Sequence, residues 1–125
     1  MNDPQTRASS RSLISILVPV FNEEENLPIL FKRVSAVTGQ LADRYDFEFV
    51  FTDNHSTDGS FTVLEKLAAG DRRIRVFRFS KNFGFQRSIM TGYMKTLGDA
   101  AIQIDCDLQD PPELFGEFLA KFEEG

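Results

Sequence analysis

The segment Ile104-Asp-Cys-Asp-Leu-Gln-Asp110 carries the densest chemistry in this 125-residue chain. Two carboxylates one residue apart, Asp105 and Asp107, and the side-chain amide of Gln109 two residues further on, offer hard oxygen donors. In an extended segment, alternation aims all three broadly the same way. Such donors suit Mg2+ or Mn2+, which binds through one or two carboxylates and shares its other positions with water and phosphate oxygens. An acidic surface turn accounts for the same residues without a metal, and both readings stand at this point. Asp110 is better explained as the N-cap of a following helix, with Pro111 in the first turn and Glu113 completing a capping box. Cys106 is the only cysteine, so it forms no bridge within the chain, and the acids on either side disfavour its thiolate.

A second polar group is Thr52-Asp-Asn-His-Ser-Thr-Asp-Gly-Ser60. Asp53 and Asn54 are suited to a ribose or a base edge, since an amide both donates and accepts whereas an ionised carboxylate only accepts. Ser56 and Asp58 read as turn and helix-cap residues, and His55 as a solvated turn residue rather than a base. The third group is basic: Arg72, Arg73, Arg75, Arg78, Lys81 and Arg87 follow one another with no acid among them. From Asp99 onward the balance reverses, with eight acids and one base, Lys121. Lys81, Arg87 or the amides after Gly84 could hold a phosphate. An acidic metal site facing a basic anion site is one reading of this asymmetry; solvated surface is the other. There is no Walker spacing and no Gly-x-Gly-x-x-Gly after the first apolar stretch, which removes the best support for ATPase and dinucleotide readings. A net charge of −5 argues against a general nucleic-acid binder.

These groups need a scaffold, and the apolar pattern supplies one. Leu13–Val20 is β-branched and nearly unbroken, as in a strand buried on both faces. Phe47–Phe51, the alternating Ile74–Phe79 and the short Ala100–Ile104 read as three more strands. Between them, helical spacing places Leu27, Leu30, Phe31, Val34 and Val37 on one face, with Asn22 as N-cap and Glu25 in a variant capping box. A second helix carries Phe61, Leu64, Leu67 and Ala68. A third is expected to pack through Phe85, Ile89, Tyr93 and Leu97, and a fourth through Leu114, Phe115, Phe118, Leu119 and Phe122.

Four strand–helix alternations predict an α/β class: a mostly parallel sheet, right-handed crossovers and helices on both faces. Ligands of such sheets bind beyond the carboxyl ends of the strands. Asn22 with Glu23, Asp53 with Asn54, Lys81 with Asn82, and Asp105 with Asp107 are therefore expected on one rim. Residues 1–12 are polar and read as a flexible tail, leaving 13–125 as the folded part. That length allows one domain, and no apolar run approaches the ~20 residues of a membrane-spanning helix.

Taken together, Val18-Pro-Val-Phe-Asn-Glu-Glu-Glu-Asn-Leu27, Phe51-Thr-Asp-Asn-His-Ser-Thr-Asp-Gly-Ser60, Ser80-Lys-Asn-Phe-Gly-Phe85 and Asp105-Cys-Asp-Leu-Gln-Asp-Pro-Pro-Glu113 resemble family 2 glycosyltransferases of the GT-A fold. The last string is the most specific, and it resembles the polyprenyl-phosphate branch that includes dolichol-phosphate-mannose synthase and bactoprenol glucosyltransferase relatives. The resemblance runs from Ile14 to the end and implies a Rossmann-like, nucleotide-binding half. By it, Pro19, Phe21 and Glu23 would line the nucleotide pocket and Asp53 would sit at the base and ribose. Asp105 would contact the nucleotide sugar, while Asp107 and Gln109 would bind the divalent ion. The family commonly has two adjacent acids where this chain has Asp53-Asn54, which bears on nucleotide preference.

The implied reaction is inverting transfer of a sugar from a nucleoside-diphosphate sugar, UDP-glucose-like or GDP-mannose-like, to a polyprenyl or dolichyl phosphate. It would use Mg2+ or Mn2+ at the cytoplasmic face of the membrane. The resemblance further implies that the sugar and acceptor residues, a further catalytic acid and the membrane segments belong to sequence after Gly125, so that 13–125 is a truncated donor-binding part. Two other classes share parts of this pattern. One is a nucleotide-binding module without turnover. The other is a phosphoacceptor receiver domain, which fails because the third strand ends in Ser80-Lys81 rather than an isolated Asp and no fifth strand is visible.

Overall fold

The structure is a computed structural model that describes residues 11–107 and 115–124. Gln109, Asp110, Pro111, Glu113 and Leu114, and the roles read for them, lie outside the described residues, as do residues 1–10 of the tail. Its last position, Ser12, already belongs to the first strand. The elements are β1 (Ser12–Val20), α1 (Asn26–Gln40), β2 (Tyr45–Asp53), α2 (Ser60–Gly70), β3 (Ile74–Arg78), α3 (Phe85–Lys95), β4 (Ala100–Gln103) and α4 (Phe115–Glu124).

All strand pairs are parallel, in the order β3-β2-β1-β4. β1 and β2 occupy the middle and are covered on two faces, which is why both are buried almost without a break and β1 is nearly all apolar. On one face Ile16 lies between Phe49 and Ile102, and Val18 opposite Phe51. These side chains join Leu27, Leu30 and Val34 of α1, Leu64 of α2, and Phe115 and Leu119 of α4 in a single core. Phe31 meets the Phe49 ring edge-on at 5.3 Å. The α4 stripe is narrower than its spacing predicted, because Phe118 and Phe122 are exposed.

α3 covers the other face, and here the sequence expectation fails. Phe85, Tyr93 and Leu97 are exposed and Ile89 is only half-buried, whereas the buried helix residues are Ser88 and Gly92. Leu17, Val50 and Thr52 already fill the space above this face of the sheet. A Cβ at Gly92 would collide with Leu17 Cδ1, and Ser88 Oγ shares a 2.8 Å hydrogen bond with Thr52 Oγ1. Small residues let the helix axis approach; hydrophobic spacing alone ranks the four-residue stripe higher and misses this.

The same face holds a polar seam at the amino-terminal half of the strands. Glu48 is buried, and its Oε2 accepts from Ser15 Oγ at 2.5 Å and Leu97 N at 2.7 Å. Its Oε1 accepts from Arg75 Nε at 3.2 Å and Nη2 at 2.6 Å. Arg75 also donates to the Lys95 carbonyl at 2.6 Å, and Gly98 N donates to Ser15 Oγ at 2.9 Å. Three strands and the α3–β4 connection are thus tied to one carboxylate. Arg75, read from sequence as part of a possible anion site, is committed to this seam.

Candidate functional site

The connection leaving β1 runs to β2 on one side, while β4 on its other side is reached by a crossover from β3; at such a reversal of strand order a crevice opens beyond the carboxyl ends of the strands. A cleft of about 500 Å³ occupies that position. Pro19, Phe21 and Glu23 enter it from the end of β1 and the following loop, Asn54 from the end of β2, and Asp105 and Asp107 from the segment after β4. The expected rim is therefore brought together from three strand ends. Asn82 and Gly84 add the fourth, and Phe85 and Ser88 extend it along the first turn of α3. Sequence reasoning assigned Phe85 to packing and gave Ser88 no role; a small polar residue one turn into the helix was the only signal available.

Two expected site residues are placed away from the cleft lining. Asp53 is fully buried and does not line the cleft. Its Oδ1 accepts from Ser56 N at 3.1 Å and Ser56 Oγ at 2.5 Å. Its Oδ2 has no hydrogen bond, with Arg78 Nε 3.4 Å away. Lys81 is exposed, its Nζ over the Phe83 ring at 5.2 Å, and is not part of the lining. Gln109 lies outside the described residues.

The loops that carry the cleft are knitted to each other. Asn22 does not cap α1, contrary to expectation; the cap position is Glu25, with no side-chain hydrogen bond. Asn22 is instead left-handed, φ 53°, a conformation Asn tolerates better than most residues. This turns its side chain towards the β2–α2 loop, where Oδ1 accepts from Thr57 N at 2.8 Å and Asp58 N at 3.3 Å. In return Asn22 N donates to Ser56 Oγ at 2.9 Å and Glu23 N to Ser60 Oγ at 2.8 Å. Burial pushes the Asp58 carboxyl up, but hydrogen bonds from Ser60 and Glu24 N outweigh it and hold the group below its ordinary range. His55, also left-handed at φ 62°, is exposed and donates from Nδ1 to the Phe79 carbonyl at 3.1 Å.

Asn54 is the second tie. Its Oδ1 accepts from Phe83 N at 2.9 Å, and its Nδ2 donates to Asn82 Oδ1 at 2.8 Å, which also accepts from Gly84 N at 2.8 Å. Gly84 has φ 91°, a value that favours glycine, and it delivers the chain into α3. Asn54→Ala removes the acceptor for Phe83 N. A lost hydrogen bond of this kind is worth about 1–1.5 kcal/mol, so amide exchange at Phe83 and Gly84 is expected to quicken by about tenfold while β1 and β2 amides are unchanged. Hydrogen–deuterium exchange checks this directly.

The cleft floor is electronegative. Burial, and then the charges of Glu23, Asp107 and Asp105, push the Cys106 thiol up to about 12, so it stays protonated, as its neighbours led one to expect. Gln103 Nε2 donates to Asp105 Oδ1 at 3.0 Å and orients that carboxylate. Among the described residues, no three His, Cys, Asp or Glu side chains converge to cage a metal. Mg2+ and Mn2+ need no such cage when one or two carboxylates are completed by water and a diphosphate, so the donor set in the cleft fits that group.

Comparison with known proteins gives a consistent placement. The sequence model described as "Glycosyl transferase family 2" matches residues 15–125. A bactoprenol glucosyl transferase of Shigella phage SfX is 38% identical over 112 residues, covering 90% of this chain and 36% of that protein. Mannosyltransferase PcManGT from Pyrobaculum calidifontis, solved with GDP-Man and Mn2+, superposes with a TM-score of 0.75 at 18% identity, over 98% of this chain and 34% of its own. Glucosyl-3-phosphoglycerate synthase from Mycobacterium tuberculosis, solved with Mn2+, UDP and phosphoglyceric acid, gives 0.64 at 26% identity, over 88% and 38%. The chain spans little more than a third of the length of each of these three proteins.

Proposed function

Because the chain belongs to glycosyl transferase family 2, we propose that its cleft binds the nucleoside-diphosphate sugar donor of a transferase that glycosylates a polyprenyl phosphate. The observation that carries this reading is the convergence of Pro19, Phe21, Glu23, Asn54, Asp105 and Asp107 on one cleft at the switch point of the sheet. Phe21 and Pro19 offer apolar surface to a base, and Asn54 keeps one N–H and one lone pair for its edge. Asp53 acts from behind by fixing Ser56 and the loop that carries Asn54. Asp105 would face the sugar diphosphate, and Asp107, with Gln109, would hold Mg2+ or Mn2+. Lys81 stands outside the cleft as a cation for the phosphates.

A divalent ion held there supplies electrostatic stabilisation of the departing diphosphate. The protein's own work is positioning: two anionic reactants must be brought together, and the knitted loops hold the donor still while the acceptor approaches. A phosphate acceptor is largely ionised near neutral pH, its second pKa being about 6, so it makes little demand for a general base. The polyprenyl acceptor is supported by the name of the phage relative. A lipid acceptor puts the reaction at a membrane surface, the cytoplasmic one in this reading. Among the described residues, no helix is long and apolar enough to cross a membrane.

A second reading is a nucleotide-binding module that does not turn over. Calorimetry with UDP-glucose and with GDP-mannose tests the shared premise: at least one should bind, more tightly with Mn2+ than without. No heat from either with a folded chain overturns it. Sugar transfer to a short polyprenyl phosphate by this chain alone then decides against the second reading.

A further inference from the structure

Arg78 belongs to the basic stretch that the sequence offers to an anion, yet its contacts lie within the fold. In the β2–β3 register it stands opposite Asp53. Asp53 is fully buried, and its Oδ2 accepts no hydrogen bond. Arg78 is its one ion-pair partner among the described residues, with Nε 3.4 Å from Oδ2. The same guanidinium donates from Nη2 to the Ser56 carbonyl at 3.4 Å and lies over the Phe61 ring of α2 at 4.6 Å. Ser56 is thus held from two sides: Asp53 Oδ1 accepts from its N–H and its hydroxyl, and Arg78 donates to its carbonyl. With its own proton given to Asp53, Ser56 Oγ is left to accept from Asn22 N. Asn22 stands between Phe21 and Glu23, both in the cleft wall.

We propose that Arg78 is a positioning residue of the donor cleft. Its charge compensates the buried Asp53 carboxylate, and through Ser56 and Asn22 the pair fixes the β1–α1 loop against the β2–α2 loop. Those loops carry Phe21, Glu23 and Asn54. A carboxylate in the interior without a counter-charge is costly, and it finds relief by turning towards water, which releases Ser56. The left-handed backbone of Asn22 persists only while its surroundings over-determine it. Loss of its partner at Ser56 therefore lets Phe21 and Glu23 shift. Asp105 and Asp107 follow β4, on the far side of β1 from Arg78, and take no part in this relay. The inference rests on the donor-binding reading and adds to it a residue outside the cleft lining.

Calorimetry on the full chain with UDP-glucose and with GDP-mannose tests it. Arg78→Met keeps an apolar stem over Phe61 and drops the charge. It should weaken affinity by about tenfold, with the stoichiometry and the Mn2+ enhancement unchanged. Arg78→Lys retains a charge and should stay within about threefold of the unaltered chain. Asp53→Asn/Arg78→Met should do the same to within about threefold, because the Asn Oδ1 still accepts from Ser56 and no charge is stranded. Amide exchange at Ser56 and Thr57 should quicken in Arg78→Met and not in the double variant. Unchanged affinity in Arg78→Met overturns the proposal. So does a loss matched by falling stoichiometry, which is unfolding, or an equal loss in the double variant, which is lost packing. If the unaltered chain binds neither nucleotide, the donor-binding reading falls and takes the positioning role with it; binding that ignores Arg78 overturns this inference alone.

Discussion

Glu48→Ala is expected to lower the unfolding free energy by about 3–5 kcal/mol, the usual cost of removing one partner from a buried ion pair. The substitution leaves the Arg75 guanidinium without its carboxylate, and Leu97 N and Ser15 Oγ without their acceptor. Urea titration should show a lower midpoint with little change in slope. Glu48→Leu combined with Arg75→Met should cost clearly less than Glu48→Ala, because no unpaired charge remains. A double variant as unstable as the single one would mean that the loss comes from packing rather than from the stranded charge. The effect on the site is indirect. The seam fixes where α3 ends, and α3 begins at the cleft, so a loosened seam should weaken donor binding in proportion to the population unfolded, and no further.

Asp107→Ala should act in the opposite sense, with stability kept and ligand affinity lost. In metal sites even the residues behind the ligands are worth about 10–100-fold. Removing a direct carboxylate should therefore cost the Mn2+-dependent part of nucleotide affinity about a hundredfold or more. Calorimetry with and without Mn2+ reads the difference, and affinity in the absence of metal should change little or rise, since a negative charge facing the diphosphate is gone. Asp107→Ala that retains full Mn2+ enhancement would remove Asp107 from the metal site and leave Asp105 as the carboxylate to test.

Most of the scaffold was legible because its signals are redundant. β1 and β2 are buried along nearly their whole length, and the apolar runs within them, Ile16–Val20 and Phe49–Phe51, are the signal of central parallel strands, while each strand ends in polar residues that the topology carries to one rim. Asp105 and Asp107 were legible for the same reason. Asn22 was misread because an N-cap and a left-handed turn residue have the same composition signature; the choice depends on a partner loop 35 residues away. Asp53 and Asn54 are adjacent, yet alternation sends one behind the cleft and the other into it, and which is which depends on the sheet's orientation rather than on residue type. α3 was misread because hydrophobic periodicity ignores volume: Gly92 is buried for what it lacks. The order β3-β2-β1-β4 was not legible, since four alternating units fit several arrangements.

The two margins of the sheet are not equivalent. β3 at one edge carries Arg75 and Arg78, and charged side chains on an edge strand discourage pairing with another strand. β4 at the other edge is Ala100-Ala-Ile-Gln103, uncharged and half-buried along its length. Its outward N–H and C=O groups form a short ladder with no gatekeeper of its own. Among the described residues no strand pairs with that edge, so the sheet's two margins differ in how readily they would accept a further strand, and solubility work on this chain should start at β4.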